Sequence, residues 1–268
     1  MVDPRAGLLE CAARDGDLAE GALWLAAEEC EGVDPAPWLR LLDELGDELR
    51  ARCGSVPTGR AAALAVPVLA GLLGDRLRLR GADGGDPRTH YLPEVLARGR
   101  GIPIACATVW IAVGRRAGIP VEGVGLPGHF VVRVGDTLVD AHARGAVLDE
   151  AAARAMVAAS LGRDPGRLEP DWLKAATVRD ILARMSRNLR VCHLARGDWA
   201  RALLAADRCV DLLPDDPTEL RERGAVLMRV GATIPALRDL RAARQAQPDD
   251  AGREAVDRLI AQALGLAN

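Results

Sequence analysis

Lysine is nearly absent from this sequence, and so is any excess of charge. Lys174 is the only lysine among 268 residues, arginine supplies the rest of the positive charge, and 35 basic side chains face 38 acidic ones for a formal charge of -3. No net field therefore draws the whole chain toward phosphate backbones or anionic lipid, so neither nucleic acid nor membrane is expected as a partner. The arginine bias accompanies abundant Ala and Gly and reads as GC-rich coding rather than phosphate recognition. The six cysteines, at positions 11, 30, 53, 106, 192 and 209, make no C-x-x-C pair and no zinc-finger or ribbon spacing. A reducing compartment follows. The first residues carry acids (Asp3, Glu10, Asp15, Asp17) and lack the basic start, apolar centre and cleavage site of a signal peptide. The long apolar run from Ala61 to Gly74 is broken by Pro67 and is too short to cross a bilayer. The expectation is a cytoplasmic protein. What remains, 49% hydrophobic and 27% charged, suits one substantial globular domain and a smaller one, and excludes a disordered, fibrous or disulfide-stapled chain.

Residues 7–53 read as helical. Leu18, Ala22, Leu25 and Ala26 recur at helical spacing, and so do Leu39, Leu42, Leu45 and Leu49 after the turn Val33-Asp-Pro-Ala-Pro. A further helix is expected over 60–80, a surface turn at Gly81-Ala-Asp-Gly-Gly-Asp-Pro, a short helix over 91–98 and a core helix over about 104–117. From Val121 the period becomes two, with Phe130, Val132 and Val134 on one face and His129, Val131 and Arg133 on the other. Gly135-Asp136 suits a hairpin turn before a strand over 137–142. Symmetric closure sets His129 opposite His142 and Asp140 opposite Val131, so His129 and Asp140 become diagonal neighbours on one face. The C-terminal third repeats itself: Gly197, Ala202, Leu203 and Pro214 recur as Gly231, Ala236, Leu237 and Pro248, and Pro-Asp-Asp recurs whole at 214–216 and 248–250. That period is the tetratricopeptide repeat, a helix pair that buries its apolar face by stacking on neighbours. Two units should lean on 170–188 and be capped by a helix over 252–265, with Glu150 to Asp171 as connector.

Three strings carry a resemblance: Tyr91-Leu-Pro-Glu-Val-Leu-Ala-Arg-Gly-Arg-Gly-Ile-Pro-Ile, Arg115-Arg-Ala-Gly-Ile-Pro and Gly125-Leu-Pro-Gly-His-Phe-Val-Val-Arg. Together with the opening helices, they resemble the bacterial SirB-type branch of the transglutaminase-like superfamily, whose members often carry C-terminal tetratricopeptide repeats. The resemblance covers about residues 5 to 265. It implies an α+β fold: a papain/transglutaminase-like domain over 1–160, with a core helix on a small antiparallel sheet, then a connector helix over 161–187, then two all-α repeats and a capping helix over 188–268. It further implies a triad in which a cysteine at a helix N-terminus faces a histidine and an aspartate on adjacent strands. The histidine is then His129 and the aspartate Asp140, in agreement with the hairpin register. The nucleophile's place is held by Pro103, which has none. The SirB-type branch shares that lack, which implies an altered or absent activity.

Cys106 lies one helical turn on from Pro103 and is the candidate for a displaced nucleophile; amid Ile104, Ala105 and Ala107 it also reads as an inert core thiol. His142 could join His129 and Asp140, but no metal-specific spacing accompanies them, so neither a metal nor another cofactor is expected. The family's aspartate is followed by Pro-Phe, where this chain has Ala141-His142, and the family's Asn-Glu-Val-Leu is here Pro93-Glu94-Val-Leu. Glu94 is thus a binding candidate. His90 and His193 read as a loop and a packing residue, and Trp110, Trp172 and Trp199 as core. Two functions compete. One is an interaction or regulatory protein whose repeats hold a protein partner; the other is a cysteine-dependent amide hydrolase or acyl transferase using Cys106, His129 and Asp140.

Overall fold

The computed structural model describes residues 3–54, 59–247 and 250–266. It divides into two compact units, one ending at Leu182 and the other beginning at Ala183.

The first unit opens with three helices, α1 (Pro4–Ala13), α2 (Leu18–Glu29) and α3 (Pro35–Cys53), where the sequence reads as helical runs on either side of the turn at Val33-Asp-Pro-Ala-Pro. Each is started by an aspartate, Asp3, Asp17 or Asp34, whose carboxylate accepts the N–H two residues on and satisfies a donor the helix leaves open. The expected helix over 60–80 is a 3-10 turn (Gly59–Ala65) followed by α4 (Val66–Leu77), because Pro67 suits only the first turn of an α-helix. Then come β1 (Arg80–Gly81), α5 (Leu92–Arg98) and β2 (Arg100–Gly101), the two short strands pairing in parallel. The core helix is α6 (Pro103–Arg116), buried continuously from Ile104 to Gly114. Bare Gly114 lets it close on the sheet, since a Cβ there would collide with the Val121 side chain.

The sheet runs β3 (Val121–Val124), β4 (Val131–Val134), β5 (Thr137–Asp140) and β6 (Ala146–Leu148), antiparallel throughout. Val134 pairs with Thr137, so Gly135 and Asp136 form a two-residue turn, with Gly135 at φ +60°. Such a turn matches the strands' twist and needs that backbone conformation. The expected strand over 137–142 stops at Asp140, because the chain turns over 141–145. Both sheet faces are covered: Val121 meets α6, while Val124 and Val131 pack on Val157 of α7 (Glu150–Leu161) with Leu138, Leu148 and Trp172 around them. The expected connector thus begins with a helix. Past it, Pro170–Leu173 is a single 3-10 turn, and the exposed Lys174 pairs with Asp171 at 2.7 Å.

The second helix region starts with α8 (Val178–Ala195), inside which the unit division falls, rather than after a connector helix over 161–187. Within the second unit, α9 (Trp199–Leu212), α10 (Pro217–Arg229), α11 (Thr233–Ala246) and α12 (Asp250–Leu266) follow in order. Gly197 and Gly231 stand between the paired helices, and Asp216 caps α10, accepting from Thr218 N–H. The second Pro-Asp-Asp stop, with Pro248 and the following residue, lies outside the described residues. Leu240, Ala243, Val256 and Ala263 form one small core, and Ala202, Ala206 and Val226 another. Trp199 is 38% exposed rather than core, with the Arg229 guanidinium 5.7 Å over its ring. Trp110 is core.

Candidate active site

His129 sits at the end of a tight turn, its N–H donating to Leu126 O, and buried Phe130 fixes the chain beside it. Diagonally across the hairpin, its Nε2 lies 3.2 Å from Asp140 Oδ2. The other carboxylate oxygen, Oδ1, accepts the backbone N–H groups of His142 and Ala143 at 2.9 and 3.1 Å. Asp140 is therefore locked from two sides. Burial works against its charge, but the His129 hydrogen bond and charge, together with the two N–H groups, outweigh that and hold its pKa below the ordinary carboxylate value. A carboxylate can only accept, so Nε2 carries the proton and Nδ1 is the basic nitrogen of the ring. This is the arrangement that orients an imidazole as a base.

His142 stands edge-on to His129, with ring centroids 6.0 Å apart. Its Nε2 is 3.3 Å from Ala82 O and the Nε2 end of its ring packs against bare Gly81, whose N–H donates to His142 O. Among the described residues no group of three His, Cys, Asp or Glu side chains converges as a metal site. Glu94 is not brought to this cluster; its carboxylate pairs with Arg98 one turn along α5, at 2.5 Å. His90 is buried with Nε2 against Gly84 O, and His193 is buried in the second unit.

Pro103 occupies the first turn of α6, where its missing N–H costs the helix nothing. Cys106, one turn on, is 0% exposed, and its thiol donates to Gly101 O at 3.3 Å and Arg80 O at 3.7 Å. Burial above all, with the Asp140 charge adding to it, pushes its pKa up to about 12. The two carbonyls come from β2 and β1, strands too short for sequence periodicity to reveal; bare Gly101, beside the sulfur, is the one local signal.

The transglutaminase-like superfamily profile matches residues 36–187, and a tetratricopeptide-repeat profile matches 189–261. The chain is 38% identical over 169 residues to a UPF0162 protein of Xylella fastidiosa, covering 61% of this chain and 60% of that one. It is 37% identical over 221 residues to a UPF0162 protein of Pseudomonas aeruginosa, covering 80% and 78%. A shorter stretch of 64 residues, 23% of this chain, is 36% identical to F-box only protein 21 of Mus musculus and covers 10% of it. The UPF0162 relatives are consistent with the SirB-type branch. With a matching profile over more than half its length, a core helix on an antiparallel sheet and helix pairs later in the sequence, the chain belongs to the transglutaminase-like superfamily and carries C-terminal tetratricopeptide repeats.

Proposed function

We propose that the first domain keeps the transglutaminase-like scaffold and its His129–Asp140 pair without a working thiol nucleophile, and serves with the repeats as a protein-interaction or regulatory module. The observation that carries this reading is the state of Cys106: fully buried, bonded to two backbone carbonyls, and with a pKa near the top of the thiol range. A thiol that keeps its proton at neutral pH is a poor nucleophile. Pro103 supports the same reading, since a proline satisfies the helix start while supplying no reacting group. Tetratricopeptide repeats as a class bind protein segments on a stacked helical surface, and among the described residues of the second unit Ile234 and part of Trp199 are exposed. We read the location as cytoplasmic from the cysteine usage, and no described helix is long and apolar enough to cross a membrane.

The competing reading is a cysteine-dependent amide hydrolase or acyl transferase using Cys106, favoured by the orientation of His129. Alkylation of the native protein with iodoacetamide near neutral pH, read by peptide mass spectrometry, separates the two. Cys106 should remain unmodified while half-buried Cys30 and Cys53 react; modification of Cys106 ahead of Cys192 would establish the enzyme reading instead. For the interaction role, affinity capture with the whole chain should return a protein that the Ile234→Asp variant no longer holds. Repeated capture of nothing counts against it.

A further inference from the structure

A cavity of the first unit, about 180 Å³, opens between the end of α4, β1 and the turn after β5, and is not lined by His129, Asp140 or Cys106. Arg78, Arg80 and Arg144 reach it from those three segments over an apolar floor of Leu73, Leu79 and Trp110. No acidic residue lines it.

Some arginines of this unit find carboxylates: exposed Arg76 and Arg52 pair with Glu48, exposed Arg98 with Glu94, and half-buried Arg116 with Asp17 and Asp43, whereas exposed Arg40 and Arg100 pair with none among the described residues. The three cavity guanidinium groups have no carboxylate partner among the described residues. Like charges from three segments repel one another, so nothing in their mutual interaction gathers them. Two of them also sit on unfavourable backbone. Arg78 has φ +53° and Arg144 φ +56°, and the one other non-glycine residue with positive φ among those described is Asp15. Arg78 takes this conformation as the left-handed cap that ends α4, whereas no helix end calls for it at Arg144, and such conformations in a residue with a Cβ gather at ligand sites. The C-terminal dipole of α4 accounts for one cation at Arg78; it does not account for Arg80 and Arg144.

We propose that this cavity is an anion site for the phosphoryl group of a small phosphate monoester. A carboxylate would neutralise one of the three charges, whereas a phosphoryl group carries about -1.5 to -2 at neutral pH and three acceptor oxygens, which match three donors from separate segments. The apolar floor suits the organic part of a monoester. Calorimetric titration of the whole protein at constant ionic strength, with inorganic phosphate, phenyl phosphate and acetate as probes, tests this. One saturable site is expected for phenyl phosphate in the millimolar range or tighter, weaker binding for inorganic phosphate and none for acetate. Arg80→Gln and Arg144→Gln should each weaken phenyl phosphate by about tenfold or more, while Arg76→Gln, whose partner is Glu48, should leave it unchanged. These side chains are exposed, and circular dichroism confirms that the variants fold. The proposal is overturned if phenyl phosphate does not saturate, if acetate binds equally well, or if Arg76→Gln weakens binding as much as Arg144→Gln does. Inorganic phosphate binding as tightly as phenyl phosphate would overturn the monoester as ligand.

Discussion

Asp140 divides its two oxygens between a turn and an imidazole, and both uses contribute to stability. Replacing it with alanine takes the acceptor from two part-buried turn N–H groups and frees the His129 ring, so Asp140→Ala should lower unfolding free energy by about 2 kcal/mol in urea titrations. The pH dependence follows from the depressed pKa. A carboxyl group that ionises more readily in the folded state stabilises fully above its ordinary value of 3.8, and the contribution is lost as pH falls through the lower folded value. Asp140→Asn should flatten that part of the stability curve; an unchanged acid limb would mean the carboxylate is not held by its neighbours. The diagonal meeting of His129 and Asp140 was legible because strand parity and a two-residue turn fix which side chains share a face. The surroundings of Cys106 were not, since Arg80 O and Gly101 O reach it from segments that no local pattern connects. The pairing of Glu94 with Arg98 was hidden for a related reason: a motif match at one residue says nothing of its neighbour four residues on.

Among the elements, α6 shows how one small residue sets a packing distance. A methyl group at Gly114 would collide with Val121, so Gly114→Ala should cost about 1–3 kcal/mol by overpacking, against the usual gain from alanine in a helix. A variant as stable as the parent would show that helix and sheet are free to part. The long helices were readable from their periodic leucines and aspartate caps. Strands β1, β2 and β6 have two or three residues each, too few for a period to emerge. Helix α7 escaped notice because only Ala153 and Val157 of its twelve residues are buried, which leaves scarcely any apolar stripe. Trp199 was misjudged from residue type alone; its ring lies beneath Arg229 and partly in solvent.

At the scale of the whole molecule, the arginines that give no net charge are distributed to different ends. In the second unit Glu219, 1% exposed, bonds Arg187 at Nε and Arg190 at Nη1, and these contacts hold its pKa down despite burial. Glu219→Gln should take from both cations their shared buried counter-charge, leaving Arg187 only Asp216 and Arg190 only Glu222 at 3.9 Å, and destabilise the repeats by about 3 kcal/mol, read as faster amide exchange along α10. Arg244→Gln, which removes an open surface pair with Asp257, should leave that exchange unchanged. In the first unit, by contrast, composition concealed the gathering of Arg78, Arg80 and Arg144, because sequence counts charges without locating them. The opposite extreme is Lys174, exposed beside Asp171 and the only side-chain amine in the sequence. Succinimidyl dyes or amine-directed tethers will therefore decorate the side chains of this sequence at a single address, with the α-amino group as the other amine that competes for them.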